Sequence, residues 1–182
     1  MDYCGGVRVN IFYLDEDPVI AAKMQCNKHV VKMSCETAQL LCSAFNPGEA
    51  PYLRSHYNHQ HAIWARESRD NYRWLLIHGL ALCKEYTERY GKIHASEKVI
   101  KWCFRNAYRI DFPKEGLTTP PYAISPDMNC RTLISEFDSL SRVEQYHLYY
   151  IMDKSHFAVW PEGKMPQWYL EGELIYHEMD IQ

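Results

Sequence analysis

The sequence predicts an all-α protein that forms a single compact helical domain over residues 1–182, with a short N-terminal extended segment and long proline-rich loops. Three observations predict this fold class. A chain of 182 residues without a linker has the length of one domain with its own core. Apolar residues recur at helical spacing over residues 62–90. Residues that start and stop helices occur at several further positions. The composition, 47% hydrophobic and 24% charged, is typical of globular proteins.

The amino-terminal part combines an extended segment with a short helix. Residues 7–14 are rich in residues that favour strands, which predicts an extended conformation. Asp17 can cap a helix, and Pro18 is favoured at a first helical position. We therefore expect a short helix from Pro18 to about Met24.

Two longer helices are predicted next. Asn27 can cap a helix over residues 28–44, which the run Asn46-Pro47-Gly48 ends. After a loop, the apolar spacing predicts one long helix over residues 62–90, with Gly91 as its stop.

The carboxy-terminal half alternates helices with irregular segments. A helix is predicted over residues 96–106, and Ser141 with Glu144 has the spacing of a capping box that starts another helix, which ends near Lys154. Residues 107–130 form a proline-rich connection, and long connections of this kind are often functional. Residues 165–182 form an acidic C-terminal tail, and we expect the nearby aromatic residues to pack across the helices: Trp160, Trp168 and Tyr169.

Charge and cysteine usage narrow the class of protein. The net charge is −3, but the tail contains four acidic residues and no lysine or arginine, so a basic face elsewhere is compatible with the sequence. Seven scattered cysteines without a C-x-x-C pair, and no signal segment, indicate a reducing cytoplasm. No apolar run reaches the length of a membrane span, so we expect no membrane association.

The helix over residues 28–44 carries the most informative pattern. At 100° per residue, one polar stripe is followed by an apolar stripe on the neighbouring face. The polar stripe consists of His29, Lys32, Glu36 and Gln39, and the apolar stripe consists of Val30, Met33, Thr37, Leu40 and Leu41. Two interpretations remain open: a solvated face with helix-pairing charges, or polar groups at the rim of a core, where a pocket could use them.

Several common site motifs are absent from the sequence. No phosphate-binding loop and no G-x-S-x-G elbow occur. The loop histidines His56, His59 and His61 have no helical i, i+4 zinc spacing, and neither cysteine nor carboxylate completes a ligand set, so we expect no metal and no cofactor. Asp15 and Asp17 fit a turn and a helix cap better than a catalytic pair.

Glu36 is the remaining candidate for chemistry. A carboxylate half buried in apolar surroundings tends to a raised pKa and can exchange protons with a substrate. The cationic residues that could contact phosphates of double-stranded DNA around it are Lys28, Lys32, Arg66, Arg69 and Arg73. Cleavage of a glycosidic bond in DNA needs such a carboxylate and a displaced nucleotide, which aromatic loops can receive.

The order of several residues resembles a known family. The run Arg8-Val9-Asn10-Ile11, His29 with Glu36 seven residues later, and a long helix ending Ala81-Leu82-Cys83-Lys84-Glu85-Tyr86 together resemble the pyrimidine-dimer DNA glycosylases called endonuclease V. The stretch with Tyr146, Tyr149 and Tyr150 is similar to the aromatic segment of that family near DNA. The resemblance covers about two-thirds of the chain. The whole pattern also resembles small phage-encoded proteins of unassigned function.

The resemblance implies roles at the matching positions. Glu36 would be the catalytic carboxylate, His29 would line the site, and Tyr149 with Tyr150 would lie near the DNA. In that family an amino-terminal threonine directly before the Arg-aliphatic-Asn run supplies the attacking amine, whereas this chain has Val7 there behind six further residues. We therefore expect a monofunctional glycosylase in which Glu36 assists water and strand nicking is weak or absent.

Substrate and function class stay open at this point. Loops over residues 46–58 and 107–130 would reshape the pocket, so a bulky modified pyrimidine and a photodimer are both candidate substrates. The alternatives are a non-catalytic helical module that binds DNA or protein, and another nucleotide-modifying enzyme. We expect a monomer, and a role in repair, phage biology or antiviral defence fits the pattern equally.

Overall fold

A computed structural model describes residues 9–180 of the chain, with side chains to residue 175. Eight α-helices occur within this range, two short 3₁₀ turns accompany them, and the described residues contain no strand. The prediction of an all-α fold is confirmed. The helices are α1 Pro18–Met24, α2 Asn27–Cys42, α3 Gln60–Glu67, α4 Arg69–Tyr90, α5 Glu97–Asn106, α6 Asn129–Thr132, α7 Arg142–Asp153 and α8 Gln167–Asp180.

Local capping explains several helix ends. The Asp17 carboxylate accepts hydrogen bonds from the first backbone amides of α1, as the sequence predicts. Ser141 and Glu144 form the predicted capping box of α7. Gly91 ends α4 in the left-handed conformation, with φ at 65°, which glycine adopts without a Cβ clash.

The predicted cap of α2 is wrong by one residue. Cys26 is the N-cap and its side chain makes no capping hydrogen bond, whereas Asn27 is already helical. The Asn27 side-chain oxygen instead accepts from Arg89 at 3.2 Å, and its backbone amide donates to Val159 at 2.7 Å. Tertiary partners therefore replace the local cap that the sequence favours.

The single long helix predicted over residues 62–90 is also wrong. Ser68 has extended backbone angles and separates α3 from α4. Its hydroxyl caps α4 through the Asn71 amide and donates to the Gly116 carbonyl oxygen at 2.7 Å, and its backbone forms a bridge with Lys114. The proline-rich connection is thus attached where the helix breaks.

Helix α4 is central in the packing and contacts α1, α2, α3 and α5. Gly79 permits this arrangement, because a Cβ there would lie 2.7 Å from a Thr37 methyl and 3.0 Å from Ile100. Helices α6 and α8 pack on α7. Gly172 of α8 has the same role, since a Cβ there would lie 2.2 Å from the Ile151 side chain.

The structure at both ends of the described chain differs from the predicted extended segment and acidic tail. Residues 9–14 lack regular secondary structure, yet all six are buried against the helices. The predicted positions Val7 and Arg8 lie outside the described residues. The segment 165–182 contains helix α8, in which Tyr169 is buried, while the side chains of residues 178 and 180 lie outside the described set. No helix between residues 9 and 180 is both long and apolar enough to cross a membrane.

Candidate active site

Helix α2 places Glu36 and His29 two turns apart on one face, about 10 Å along the helix axis. Both side chains are buried, so the interpretation of a solvated stripe is wrong for these two residues. The segment of residues 9–14 covers them, and the Asn10 backbone amide donates to Glu36 Oε2 at 2.9 Å. The site therefore forms only when the amino-terminal segment packs on α2.

Glu36 is a buried carboxylate with one cationic partner. Lys32 Nζ lies 2.9 Å from Oε1, and the side chains of Lys32 and Glu36 are 39% and 4% exposed. Burial raises the pKa of Glu36, while the hydrogen bonds from Lys32 and Asn10 and the charge of His56 act in the opposite direction. A raised pKa makes the carboxylate a better proton acceptor. Lys32 lies between Glu36 and the solvent, because its own side chain is partly exposed.

His29 is held in an aromatic setting. Its Nδ1 lies 2.5 Å from the Tyr150 hydroxyl, and the Phe12 ring stacks on it with ring centroids 4.0 Å apart. Burial, with the nearby charges of Lys154, Lys32 and Lys28, lowers the pKa of His29 to about 3. The imidazole is therefore neutral near pH 7 and acts as a hydrogen-bonding and packing group.

Three lysines surround this buried pair. Lys28 Nζ lies 4.5 Å from the centroid of the Phe157 ring, and Lys154 Nζ lies 4.2 Å from that of Tyr149. Lys32 contacts Glu36 as described above. All three depress the pKa of His29, so their positive charges act on one location. Aromatic faces hold Lys28 and Lys154 without neutralising their charges, whereas Lys32 is paired with Glu36.

Asn10 connects the site with the rest of the fold. Its side-chain oxygen accepts from the Tyr146 hydroxyl at 2.7 Å and from the Ile11 and Phe12 amides at 2.8 and 3.2 Å. Its side-chain nitrogen donates to the Ala123 carbonyl oxygen at 3.0 Å. Phe12 has φ at 54°, a left-handed conformation that costs a non-glycine residue about 1 kcal/mol or more. This network fixes the turn that sets both the Glu36 contact and the Phe12 ring.

The structure gathers some of the predicted DNA contacts and separates others. Lys28 and Lys32 flank the Glu36 and His29 pair. Tyr149 is largely buried beneath Lys154, and Tyr150 is fully buried, where it contacts His29 instead of solvent. The other three predicted contacts lie on the α3 and α4 side: Arg66 lines a separate cleft, and Arg69 and Arg73 are exposed one turn apart on α4.

Sequence reasoning missed two members of the site. Lys154 was not singled out, although it follows Tyr149 and Tyr150 at the end of α7 and faces the same region. Asn10 is marked in the sequence only by the family resemblance, and its position in a short extended segment gives no sign that its backbone would bind Glu36. Both roles depend on contacts across more than 25 residues of sequence.

The loop histidines serve the local structure. His61 donates from Nε2 to the Pro121 carbonyl oxygen at 2.6 Å, because a carbonyl oxygen only accepts, and burial lowers the pKa of His61 to about 3. The His59 ring accepts from the His61 backbone amide. Among the side chains of residues 9–175, no group of three or more His, Cys, Asp or Glu residues is placed to hold a metal ion.

Comparisons with known proteins found no relative of this chain. No protein-family model matches the chain, and neither a curated protein nor a solved structure is significantly similar to it. The resemblance to endonuclease V therefore stays at the level of the residues quoted for it. Functional inference depends on the geometry around Glu36.

Proposed function

We propose that this protein is a DNA glycosylase that removes a damaged or modified pyrimidine base from double-stranded DNA. The observation that carries the proposal is Glu36, a buried carboxylate with a raised pKa beside the half-exposed Lys32. A carboxylate in this state is suited to accept a proton from water near a sugar.

The surrounding charges support a nucleic-acid substrate. Lys28, Lys32 and Lys154 act together on the His29 region and can contact phosphates. The target nucleotide must leave the base stack to reach the carboxylate, and the aromatic groups beside it can receive a planar base. Phe12, Tyr149 and Phe157 are the aromatic residues in contact with this region.

The proposed reaction is a hydrolysis. The oxygen of a water molecule bonds to the sugar carbon C1′ while the bond from C1′ to the base nitrogen breaks and its electron pair leaves with the base. Glu36 takes the proton that the water loses, and the departing base takes a proton from solvent. The neighbouring lysines bind the flanking phosphates, and neutral His29 positions the aromatic floor. No strand cleavage is part of this scheme.

The test is excision by wild-type protein and by Glu36→Gln on duplexes that carry pyrimidine photodimers or modified pyrimidines, with alkali-labile sites as the readout. We expect the variant to lose about 100-fold or more in rate, because proton transfer by a positioned group contributes that much. The exposed Glu162→Gln is the matched control and should cut like wild type. The wild-type rate should rise with pH through a pKa above 4.5, the ordinary value for glutamate, because only the deprotonated carboxylate accepts a proton.

Two results would overturn the proposal. Equal excision by wild type and Glu36→Gln would remove the carboxylate from the chemistry. Binding of DNA with a steep salt dependence, and no excision of any of these substrates, would favour the non-catalytic binding module.

A cytoplasmic location is a further part of the proposal. The six cysteines at described positions are free thiols, and the sulfurs of Cys42 and Cys103 lie 3.7 Å apart without a bond. Such a pair persists most readily in a reducing compartment. Acid-quenched thiol labelling in the native cell should find both cysteines reduced, and an oxidised pair would contradict the location.

A further inference from the structure

We propose that an open cleft at the carboxy-terminal end of α2 holds a backbone phosphate of the DNA, away from the target nucleotide. The cleft has a volume of about 540 Å³. We call it the arginine cleft and define it by Phe45, Arg54, Tyr57, Arg66, Arg109 and Lys114. The inference rests on the proposed function for the identity of the partner, while the cleft itself is separate from the Glu36 site.

The charges of the arginine cleft are only partly neutralised. Arg109 pairs with Glu49 at 3.1 Å, and Lys114 pairs with Glu67. Arg54 and Arg66 line the same cleft, and among the side chains that the structure describes, residues 9–175, neither makes an ion pair with a carboxylate. Asp111 also lines the cleft, so its four basic and three acidic residues leave a net charge of +1. The guanidiniums of Arg54 and Arg66 are the groups available to an anionic ligand.

Backbone contacts hold both guanidiniums in place. Arg54 donates to the Phe45 carbonyl oxygen from Nε at 2.9 Å and also from Nη2, and Arg66 donates to the Tyr57 carbonyl oxygen at 2.6 Å. The Tyr57 ring packs against both, with its centroid 4.3 Å from Arg54 Cζ and 3.8 Å from Arg66 Cζ. These contacts fix the side chains and leave further N–H donors of each guanidinium available.

A phosphodiester fits these donors. The planar guanidinium presents paired N–H groups that match two oxygens of a phosphate. The cleft is open to solvent, so the backbone of a long polyanion can reach the guanidiniums of Arg54 and Arg66 within it.

The position of the cleft relative to Glu36 favours DNA as the ligand. Lys28 lies near the start of α2 and the cleft adjoins its end, so the two cationic regions are separated by roughly 20 Å, with Glu36 between them. That separation corresponds to about six base-pair steps along the axis of B-form DNA. His56, whose charge acts on Glu36, directly precedes Tyr57 of the cleft. A strand whose nucleotide enters the Glu36 site can therefore place a flanking phosphate in the cleft.

The experiment measures the affinity for a fluorescent 20-base-pair duplex as a function of salt for wild type, Arg54→Gln and Arg66→Gln. We expect each variant to bind roughly tenfold more weakly, because each loses a charge-assisted phosphate contact. The slope of log affinity against log salt should fall by about 1 in each. Arg54→Lys retains the charge and should keep the slope while it loses part of the affinity. Thermal unfolding establishes which variants are folded. If only one of the two glutamine variants is folded, its salt dependence alone tests the cleft.

Lys92→Gln is the matched control. Lys92 is exposed beyond the far end of α4, a helix about 33 Å long whose start lies beside the cleft. The Lys92→Gln variant should leave the slope of log affinity against log salt unchanged. Equal slopes for wild type and the arginine variants, an equal loss in the control, or no salt-dependent binding by wild type would overturn the assignment of the cleft.

The outcomes separate this inference from the proposed function. Excision that depends on Glu36, together with unchanged slopes in the arginine variants, overturns the cleft alone. If the salt slopes fall in the arginine variants while wild type and Glu36→Gln excise equally, only the proposed glycosylase activity is overturned.

Discussion

Glu36 and Glu85 are both buried glutamates on long helices, but their surroundings differ. The two side chains are 4% and 5% exposed, and each has a basic residue four positions away. Glu85 accepts two hydrogen bonds from Arg89, at 3.0 and 3.1 Å, and one from Lys164 at 3.2 Å. Glu36 has one half-exposed lysine and one backbone amide.

The partners of Arg89 complete the contrast. Its side chain is only 2% exposed and also donates to the carbonyl oxygens of Lys23 and Gln25 and to the Asn27 side chain. The Glu85 pair therefore joins α4 to the connection between α1 and α2, whereas Glu36 contacts a half-exposed lysine and the amino-terminal segment. Burial alone does not mark a functional carboxylate; the set of partners does.

The largest expected effect concerns this pair of glutamates. Glu85→Gln should lower the free energy of unfolding by about 3 kcal/mol, because it leaves the buried Arg89 without a charged partner. For a chain of this length that corresponds to a fall of roughly 6–12 °C in Tm. Glu36→Gln should change the free energy by less, since Lys32 can turn to solvent. Urea and thermal unfolding of both variants measure the difference, and a larger loss in Glu36→Gln would reverse the comparison.

The next effect concerns the Asn10 network that holds residues 9–14 over Glu36. Asn10→Ala should lower the free energy of unfolding by about 2 kcal/mol, because it leaves the Tyr146 hydroxyl without an acceptor and the Ala123 carbonyl oxygen without its side-chain donor in a largely buried site. Urea unfolding is the measurement. The exposed Asn46→Ala is the control and should stay within about 0.5 kcal/mol of wild type.

Tyr146→Phe provides an independent check on this network. Alone it should lower the free energy of unfolding by about 1 kcal/mol. In combination with Asn10→Ala the two effects should add to less than their sum, because both variants remove one shared hydrogen bond. Simple additivity would contradict the network.

The last prediction concerns the pH dependence of stability that His29 contributes beside Glu36. His29 takes up a proton only on unfolding when the pH lies between its folded pKa of about 3 and its ordinary value of 6.5. Its contribution to stability is complete above pH 6.5 and is lost as the pH falls, by up to about 1.4 kcal/mol per unit. His29→Asn should reduce this slope by that amount in urea unfolding between pH 5 and 6. His61 and His78, whose pKa values are also lowered, remain in both proteins, so parallel curves would contradict the assignment.

Prediction from the sequence worked where the cause is local. Three helix ends depend on residues within four positions of them, so the sequence predicts them: Asp17 before Pro18, the capping box of Ser141 with Glu144, and Gly91. The helix break at Ser68 could not be predicted, because the helical spacing continues through it. The break depends on contacts with Gly116 and Lys114, more than 45 residues away. Helix α8 lies in the segment that the sequence predicts as an acidic tail, and it packs on α7, where a Cβ at Gly172 would meet the Ile151 side chain.

The same division holds at the candidate site. The sequence alone determined an all-α fold and brought His29, Lys32 and Glu36 to one face of α2, since helical geometry fixes residues three, four and seven apart. It could not distinguish Glu36 from Glu85, because both have an oppositely charged neighbour at i, i+4. Only the tertiary structure placed Asn10 and Phe12 over one carboxylate and its histidine, and Arg89 with Lys164 on the other. Burial and charge at a site depend on distant segments packed together, and the partners that those segments supply separate the two glutamates.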